Sequence, residues 1–188
     1  MAELTTLNRE HRSRVLEGMA IAVSRKGFAD TTIADIVGEA SVSRRTFYEH
    51  FSSKAECLIA LYEAASHNAL KVLRDAIDPA HGWQTQVETA LRAYLGCLAS
   101  NPVLVRTLFI EILHLGTEGL ESRRRVNLEL ADFILKTVDP KSLTPKMAMA
   151  IVGGINELVL EYIEQDKVGR LEELVEPSSR LVHAVTGQ

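Results

Sequence analysis

A short segment near the N-terminus carries side chains that can read a nucleic-acid duplex. Cationic, hydroxyl, phenol and imidazole groups surround the apolar Phe47, and they belong to Ser43, Arg44, Arg45, Thr46, Tyr48 and His50. Arginine donors reach guanine edges, threonine reaches a base edge or a thymine methyl group, and tyrosine and histidine hold phosphates. The pattern indicates DNA binding, although an Arg-Arg pair on the solvated face of an ordinary helix is equally consistent with it.

Two short helices behind a longer first helix must position this segment. Helical periodicity predicts helices over 8–26, 32–39 and 43–49, and Gly27 should end the first of them. Thr32 and Ser43 are suited to cap the second and third helices, because their hydroxyl oxygens accept from unpaired backbone amides. Two brief helices joined by a three-residue turn are typical of a helix-turn-helix.

These residues resemble the DNA-binding head of the tetracycline-repressor (TetR) family. The resemblance rests on Gly27-Phe28, on Thr31-Thr32-Ile33 and on the string T-F-Y-E-H-F-S-S-K-A-E-C-L that begins at Thr46. The sequence departs from the family at the turn, where Ser41 replaces a frequent glycine. It departs again at Ala34, where many members carry a base-contacting arginine.

The resemblance implies a role for each polar residue of the head. The residues expected to hold phosphates are Thr32, Ser43, Tyr48, His50 and Lys54. The residues expected deepest in the major groove are Arg44, Arg45 and Thr46. Phe47 would belong to the core.

The composition is that of an ordinary folded chain. The 188 residues are 46% hydrophobic and 24% charged, with a formal net charge of -4, which is typical of globular proteins. Eight basic and seven acidic side chains lie in 1–54, and the rest of the chain is acidic. This balance fits a small binding head on an acidic body, and it also fits chance.

Features of enzymes and membrane proteins are missing from the sequence. No phosphate loop, G-x-S-x-G or H-E-x-x-H motif occurs, and Cys57 and Cys97 form no metal or disulfide pattern. No apolar run reaches the ~18 residues that a membrane span needs. We therefore expect a cytoplasmic, non-enzymatic protein with no cofactor, no metal and no membrane contact.

Six further helices are predicted after the head. They cover 54–73, 83–99, 103–114, 118–137, 145–165 and 170–185. Asp139-Pro140 and Thr144-Pro145 bracket a loop, and Pro145 is expected at the first position of its helix. The predicted fold is all-α with about nine helices: a three-helix helix-turn-helix head over 1–53 and an effector-binding and dimerisation body over 54–188.

The resemblance implies that the body forms a homodimer and binds a small-molecule effector. The candidate dimer residues, which could instead form an intramolecular core, are Ile151, Gly153, Gly154, Ile155, Leu158, Val159, Tyr162, Leu174 and Leu181. The candidate pocket residues, each of which could also serve only packing, are Trp83, Tyr94, Cys97, Phe109, Glu111 and His114.

Together these features predict a ligand-responsive transcriptional regulator. The chain would bind a palindromic double-stranded DNA operator as a homodimer and act as a repressor that an unidentified small molecule releases. The alternative is a helical protein-interaction adaptor without DNA binding. The intact polar set around Phe47 argues against that alternative.

Overall fold

The computed structural model describes residues 2–137 and 143–187, with side chains from Leu7 onward. The helices are α1 (Ala2–Asp30), α2 (Ile33–Ala40), α3 (Arg44–His50), α4 (Lys54–Asp75), α5 (Trp83–Ala99), α6 (Pro102–Phe109), α7 (Thr117–Thr137), α8 (Pro145–Glu164) and α9 (Val175–Thr186). Short 3-10 segments cover Glu111–Leu115 and Val168–Leu174. The described residues form no strand, and the prediction of an all-α fold with about nine helices is confirmed. The predicted loop at Asp139-Pro140 lies outside the described residues.

The chain divides into two compact units. Unit 1 contains Met1–Ala65 and Arg106–Ser122, and unit 2 contains Ser66–Val105 and Arg123–Gln188. Unit 1 therefore contains the predicted head, the start of α4 and the segment around the first 3-10 helix. The boundary predicted after residue 53 remains a prediction about the division of function.

The core of unit 1 depends on a close crossing of α1 and α2. A Cβ atom at Gly18 would lie 2.5 Å from the carbonyl oxygen of Ile36 and 2.8 Å from the amide nitrogen of Ala40. Only glycine leaves room for this contact. Met19, Ile36 and Phe47 are each 0% exposed, so the crossing and α3 share one apolar core.

The regular part of α1 ends at Gly27. Its backbone has φ 76° and ψ 166°, a conformation that L side chains rarely adopt. The hydroxyl of Thr31 donates to the Gly27 carbonyl oxygen at 2.7 Å and so closes the last turn. The prediction that Gly27 ends the first helix is confirmed.

In unit 2, α5 packs against the 3-10 segment Val168–Leu174 and against α9, and α8 packs against both. Leu95, Ile151, Val159 and Leu171 are each 0% exposed in this core.

Among the described helices, none alone has the length and apolarity of a membrane span. The neighbouring pair Trp83–Ala99 and Pro102–Leu115 has them only when the two are counted together.

The turn between α2 and α3 contains a left-handed residue without a glycine. Ser41 has φ 51° and ψ 48°, which costs an L-residue roughly 1–2 kcal/mol. The guanidinium of Arg14 holds the turn, because Nε donates to the Ala40 carbonyl oxygen at 3.1 Å and Nη2 donates to the Ser41 carbonyl oxygen at 2.6 Å. The departure from the family pattern at Ser41 is therefore a strained position.

We predict that Ser41→Gly raises the free energy of unfolding by about 1 kcal/mol, because glycine adopts the left-handed conformation without a steric penalty. The matched control is Ser100→Gly. Ser100 ends α5 at φ -68° and ψ -16°, so glycine there should only lower stability. Chemical denaturation measures both variants, and an unchanged or lowered stability of Ser41→Gly would contradict the assigned strain.

Candidate nucleic-acid interface

Side-chain caps fix the starts of α2 and α3. The hydroxyl oxygen of Thr32 accepts from the Asp35 amide at 3.3 Å, while the Thr32 amide donates to the Asp35 carboxylate at 2.7 Å. The hydroxyl oxygen of Ser43 accepts from the Thr46 amide at 3.0 Å. These contacts confirm the capping roles of Thr32 and Ser43. They satisfy amides that would otherwise be unpaired at each helix start.

The seven residues of α3 separate into an inner and an outer face. Phe47 is fully buried, and its ring centroid lies 5.5 Å from that of Tyr48 and 5.8 Å from that of Phe51. Tyr48 is 57% exposed. Arg44 is also exposed, and His50 is half-buried. Burial of Phe47 therefore turns the polar residues of α3 outward.

The two arginines of α3 differ in their surroundings. Nε of Arg45 lies 3.0 Å from the Glu49 carboxylate one turn later, and its side chain is 88% exposed. Arg44 has no hydrogen-bond or ion-pair partner among the described residues. All five guanidinium donors of Arg44 are therefore available on this face, whereas Nε of Arg45 is committed to Glu49.

Acidic side chains neutralise the cations at the end of α1. Arg25 pairs with Glu39, and Lys26 Nζ lies 2.7 Å from the Asp35 carboxylate. The Lys26 ammonium, together with hydrogen bonds from Thr32, holds the pKa of Asp35 well below its usual range. These cations stabilise the head internally and add little positive field to its surface.

His50 ends α3 in a half-buried position. Burial lowers the pKa of His50 below its ordinary value of 6.5, and the charges of His11 and Arg12 lower it further against the opposing charge of Glu49. The imidazole is therefore mainly neutral at pH 7. A phosphate at this position would receive a hydrogen bond rather than a full positive charge.

Lys54 has a structural partner set that the sequence analysis did not predict. Its ammonium donates to the carbonyl oxygens of Phe28, Ala29 and Thr31 at 2.9, 3.1 and 2.8 Å. It also lies 4.5 Å from the centroid of the Phe28 ring. These bonds occupy all three donors of an ammonium group, which leaves none for the predicted phosphate contact. Lys54 caps the end of α1, which has no basic residue in its own last turn.

Glu111 lies in unit 1 and hydrogen-bonds the end of α1. Its carboxylate accepts from the Phe28 amide at 2.9 Å and lies 3.0 Å from Nδ1 of His114. Phe109 belongs to the same unit. The prediction that these three residues line a pocket with Trp83 is therefore corrected, because Trp83 lines a cavity in unit 2.

That cavity is apolar and contains about 720 Å³, its open mouth included. Two of the candidate pocket residues, Trp83 and Tyr94, line it, while Cys97 does not. The Cys97 sulfur instead lies 3.9 Å from the side-chain nitrogen of Asn68.

The candidate dimer residues fall into two groups. Ile151, Ile155, Val159 and Leu174 are 8% exposed or less and form the core of unit 2, which is the alternative that the sequence left open. Gly153 is exposed, and Leu158 and Tyr162 are half-buried. A Cβ atom at Gly154 would lie 2.8 Å from Leu181, so the close approach at Gly154 occurs within the chain.

Sequence reasoning missed two contributors to the head. Arg14 clamps the turn before α3, and Gly18 allows α2 to approach α1. The pattern of glycine within an otherwise apolar helical stripe was a usable signal for Gly18. No local pattern indicates that Arg14 reaches carbonyls 26 and 27 residues away.

The described residues are all-helical, and the capped helix-turn-helix near the N-terminus is an arrangement typical of DNA-binding motifs. Residues 20–61 match the family described as bacterial regulatory proteins, tetR family. The chain thus carries the helix-turn-helix domain of the tetR family, and the resemblance found in the sequence is confirmed.

The relatives in sequence agree over the same region. The chain is 35% identical over 75 residues to the HTH-type transcriptional regulator TtgR of Pseudomonas putida, a match that covers 37% of this chain and 36% of TtgR. It is 40% identical over 55 residues to the probable HTH-type transcriptional regulator ArpR of Pseudomonas putida, covering 29% of this chain and 26% of ArpR. The matches therefore span roughly a third or less of the length of these curated relatives.

A solved structure extends the likeness in fold to the whole chain. The transcriptional regulator FadR of Bacillus subtilis, solved in complex with stearoyl-CoA, gives a TM-score of 0.78 at 16% identity over 94% of this chain and 98% of FadR. At this identity the likeness shows the fold alone.

We predict that Lys54→Met lowers the free energy of unfolding by about 2–4 kcal/mol, because three carbonyls lose charge-assisted hydrogen bonds while the apolar stem is kept. Lys71→Met is the control, since the side chain of Lys71 is 72% exposed and pairs with Asp75 on the surface. It should change stability by at most about 0.5 kcal/mol. Equal effects of the two variants in chemical denaturation would show that the cap of α1 contributes nothing.

Proposed function

We propose that this chain is a transcriptional regulator that inserts α3 into the major groove of double-stranded DNA. The observation that carries the proposal is the orientation of α3: Phe47 is fully buried, while Arg44 and Tyr48 on the same seven-residue helix face outward. The tetR-family match over 20–61 supports it. We place the protein in the cytoplasm, where such a regulator meets its DNA.

Arg44 is the proposed base reader. Its donors have no partner among the described residues, whereas Nε of Arg45 already contacts the Glu49 carboxylate. A guanidinium binds the O6 and N7 acceptors of guanine with two hydrogen bonds. Ser43, Thr46 and Tyr48 would then contact the flanking backbone and bases.

Selection of bound duplexes from a random pool tests the proposal. We expect a palindrome whose half-sites lie about 34–36 Å apart. Arg44→Ala should relax one base position and cost about 1–3 kcal/mol on the selected site. Arg92→Ala, which removes an exposed arginine of α5, is the control and should bind like the wild type. A pool without enrichment would refute sequence-specific binding.

A second prediction concerns His50. Because its pKa is lowered, we expect the neutral imidazole to act as a hydrogen-bond donor to phosphate. His50→Gln should then keep duplex affinity at pH 7.5 within about threefold, whereas His50→Ala should weaken all sequences by about 0.5–1.5 kcal/mol per site. Fluorescence anisotropy with a labelled duplex measures both. Equal losses in the two variants would show that the donor has no role.

We further propose that the chain acts as a homodimer through the outer faces of α8 and α9. Leu158 and Tyr162 lie one turn apart on the same face of α8, and both are half-buried. A single seven-residue helix can contact only a few bases. A dimer presents two such helices to two half-sites, which raises both the affinity and the sequence specificity of DNA binding. Leu181 of α9 extends this apolar surface.

Leu158→Glu should therefore produce monomers in analytical ultracentrifugation and weaken binding to the palindrome. The control is Leu128→Glu, which should remain dimeric, because Leu128 is 50% exposed on α7, a helix that is not part of the proposed interface. A Leu158→Glu protein that remains dimeric would place the interface elsewhere.

We also propose that the chain acts as a repressor and that a ligand in the cavity of unit 2 releases it from the DNA. The support is the cavity itself and the solved structure of a similarly folded regulator with stearoyl-CoA. α4 begins at Lys54 in the head and carries Leu73 on the cavity wall. A shift of this helix would couple ligand binding in the cavity to DNA binding by the head. A coupling free energy of about 1–3 kcal/mol would change the affinity for DNA roughly 5–150-fold.

A further inference from the structure

The cavity of unit 2 restricts the chemistry of the molecule that it can accept. Side chains from α4, α5, α7, α8 and α9 line it, and none of the described lining residues is acidic, basic or a histidine. A buried charge without a partner is costly, so an ionic group inside this cavity would be strongly disfavoured.

The polar side chains in the wall are mostly engaged within the chain. Gln86, Thr137 and Asn156 each donate to an oxygen of the protein, at 2.6, 2.8 and 3.2 Å. Tyr94 also has an interaction of its own. The indole Nε1 of Trp83 is buried and has no hydrogen-bond partner among the described residues. Because Trp83 lines the cavity, this N–H is the candidate donor to a bound molecule.

We infer that the cavity binds an uncharged, mainly apolar molecule with one hydrogen-bond acceptor that receives the N–H of Trp83. The inference rests on the proposed function only in treating this molecule as the effector. Such a cavity differs from a ligand site that buries a carboxylate or a phosphate. One cation lies close to the wall: the guanidinium of Arg74 is 5.8 Å from the centroid of the Phe133 ring, although Arg74 does not line the cavity.

Three probes with similar skeletons test the inference on the full chain: hexylbenzene, the ketone hexanophenone and the anion 6-phenylhexanoate. Trp83 is the single tryptophan, so its fluorescence reports occupation directly, and calorimetry gives the affinities. Hexanophenone should bind at least about tenfold more tightly than 6-phenylhexanoate, because only the anion must bury a charge. It should bind about 2–10-fold more tightly than hexylbenzene, because only the ketone accepts a hydrogen bond.

Trp83→Phe removes the donor and keeps an aromatic wall. By calorimetry, the advantage of hexanophenone over hexylbenzene should fall below about twofold in this variant. Ala90→Leu, which fills part of the cavity from a wall position that is 5% exposed, should weaken all three probes together. A thermal melt of each variant establishes that it is folded.

Tight binding of 6-phenylhexanoate, lost in Arg74→Ala, would overturn the inference, and so would the failure of all three probes to bind the wild type. A ketone advantage that persists in Trp83→Phe would overturn the role of the indole. The ligand response in the proposed function has a separate test. If hexanophenone fills the cavity and the affinity for the selected duplex is unchanged, the ligand response is refuted while the assigned ligand class stands.

Discussion

The burial of Phe47 is the constraint on which the DNA-facing surface depends. A helix as short as α3 is not stable by itself in water, so its position must come from tertiary contacts. Phe47 supplies them from the inner face, and Ser43 closes the first turn from outside. The close crossing of α1 and α2 at Gly18 builds the core that receives this ring. The outward direction of Arg44 and Tyr48 is a consequence of these contacts.

Basic side chains in the head have two different tasks. Arg14 and Lys54 donate to backbone carbonyls and fix the turn and the end of α1. Lys26 pairs with Asp35. Arg44 is left with unspent donors, and Arg45 is held by a single exposed contact. The charges that hold the scaffold are thus separate from those available to a duplex, although both kinds of residue lie within one short stretch of sequence.

Local features of the fold were predictable from the sequence, and distant contacts were not. The starts of α2, α3 and α8 follow Thr32, Ser43 and Thr144 because a capping hydroxyl acts within three residues. Lys54 bonds carbonyls at least 23 residues away, and Glu111 bonds an amide 83 residues away. Residue type alone cannot reveal such partners.

The same limit applies to the body of the chain. Ile151 and Val159 have the apolar spacing of an interface, and that spacing is identical for a helix that faces its own core. Both are fully buried in unit 2. Trp83 and Tyr94 were identified as cavity residues because aromatic groups with polar atoms are frequent in such sites, whereas His114 shares that chemistry and lies in unit 1.

The salt dependence of duplex binding tests the central claim most directly. If a dimer presents α3 twice and its phosphate contacts number about six to eight, the logarithm of affinity should fall with the logarithm of salt concentration with a slope of about -5 to -7. A slope near zero, with the protein folded and the duplex intact, would contradict the claim that the outer face of α3 is a DNA-binding surface.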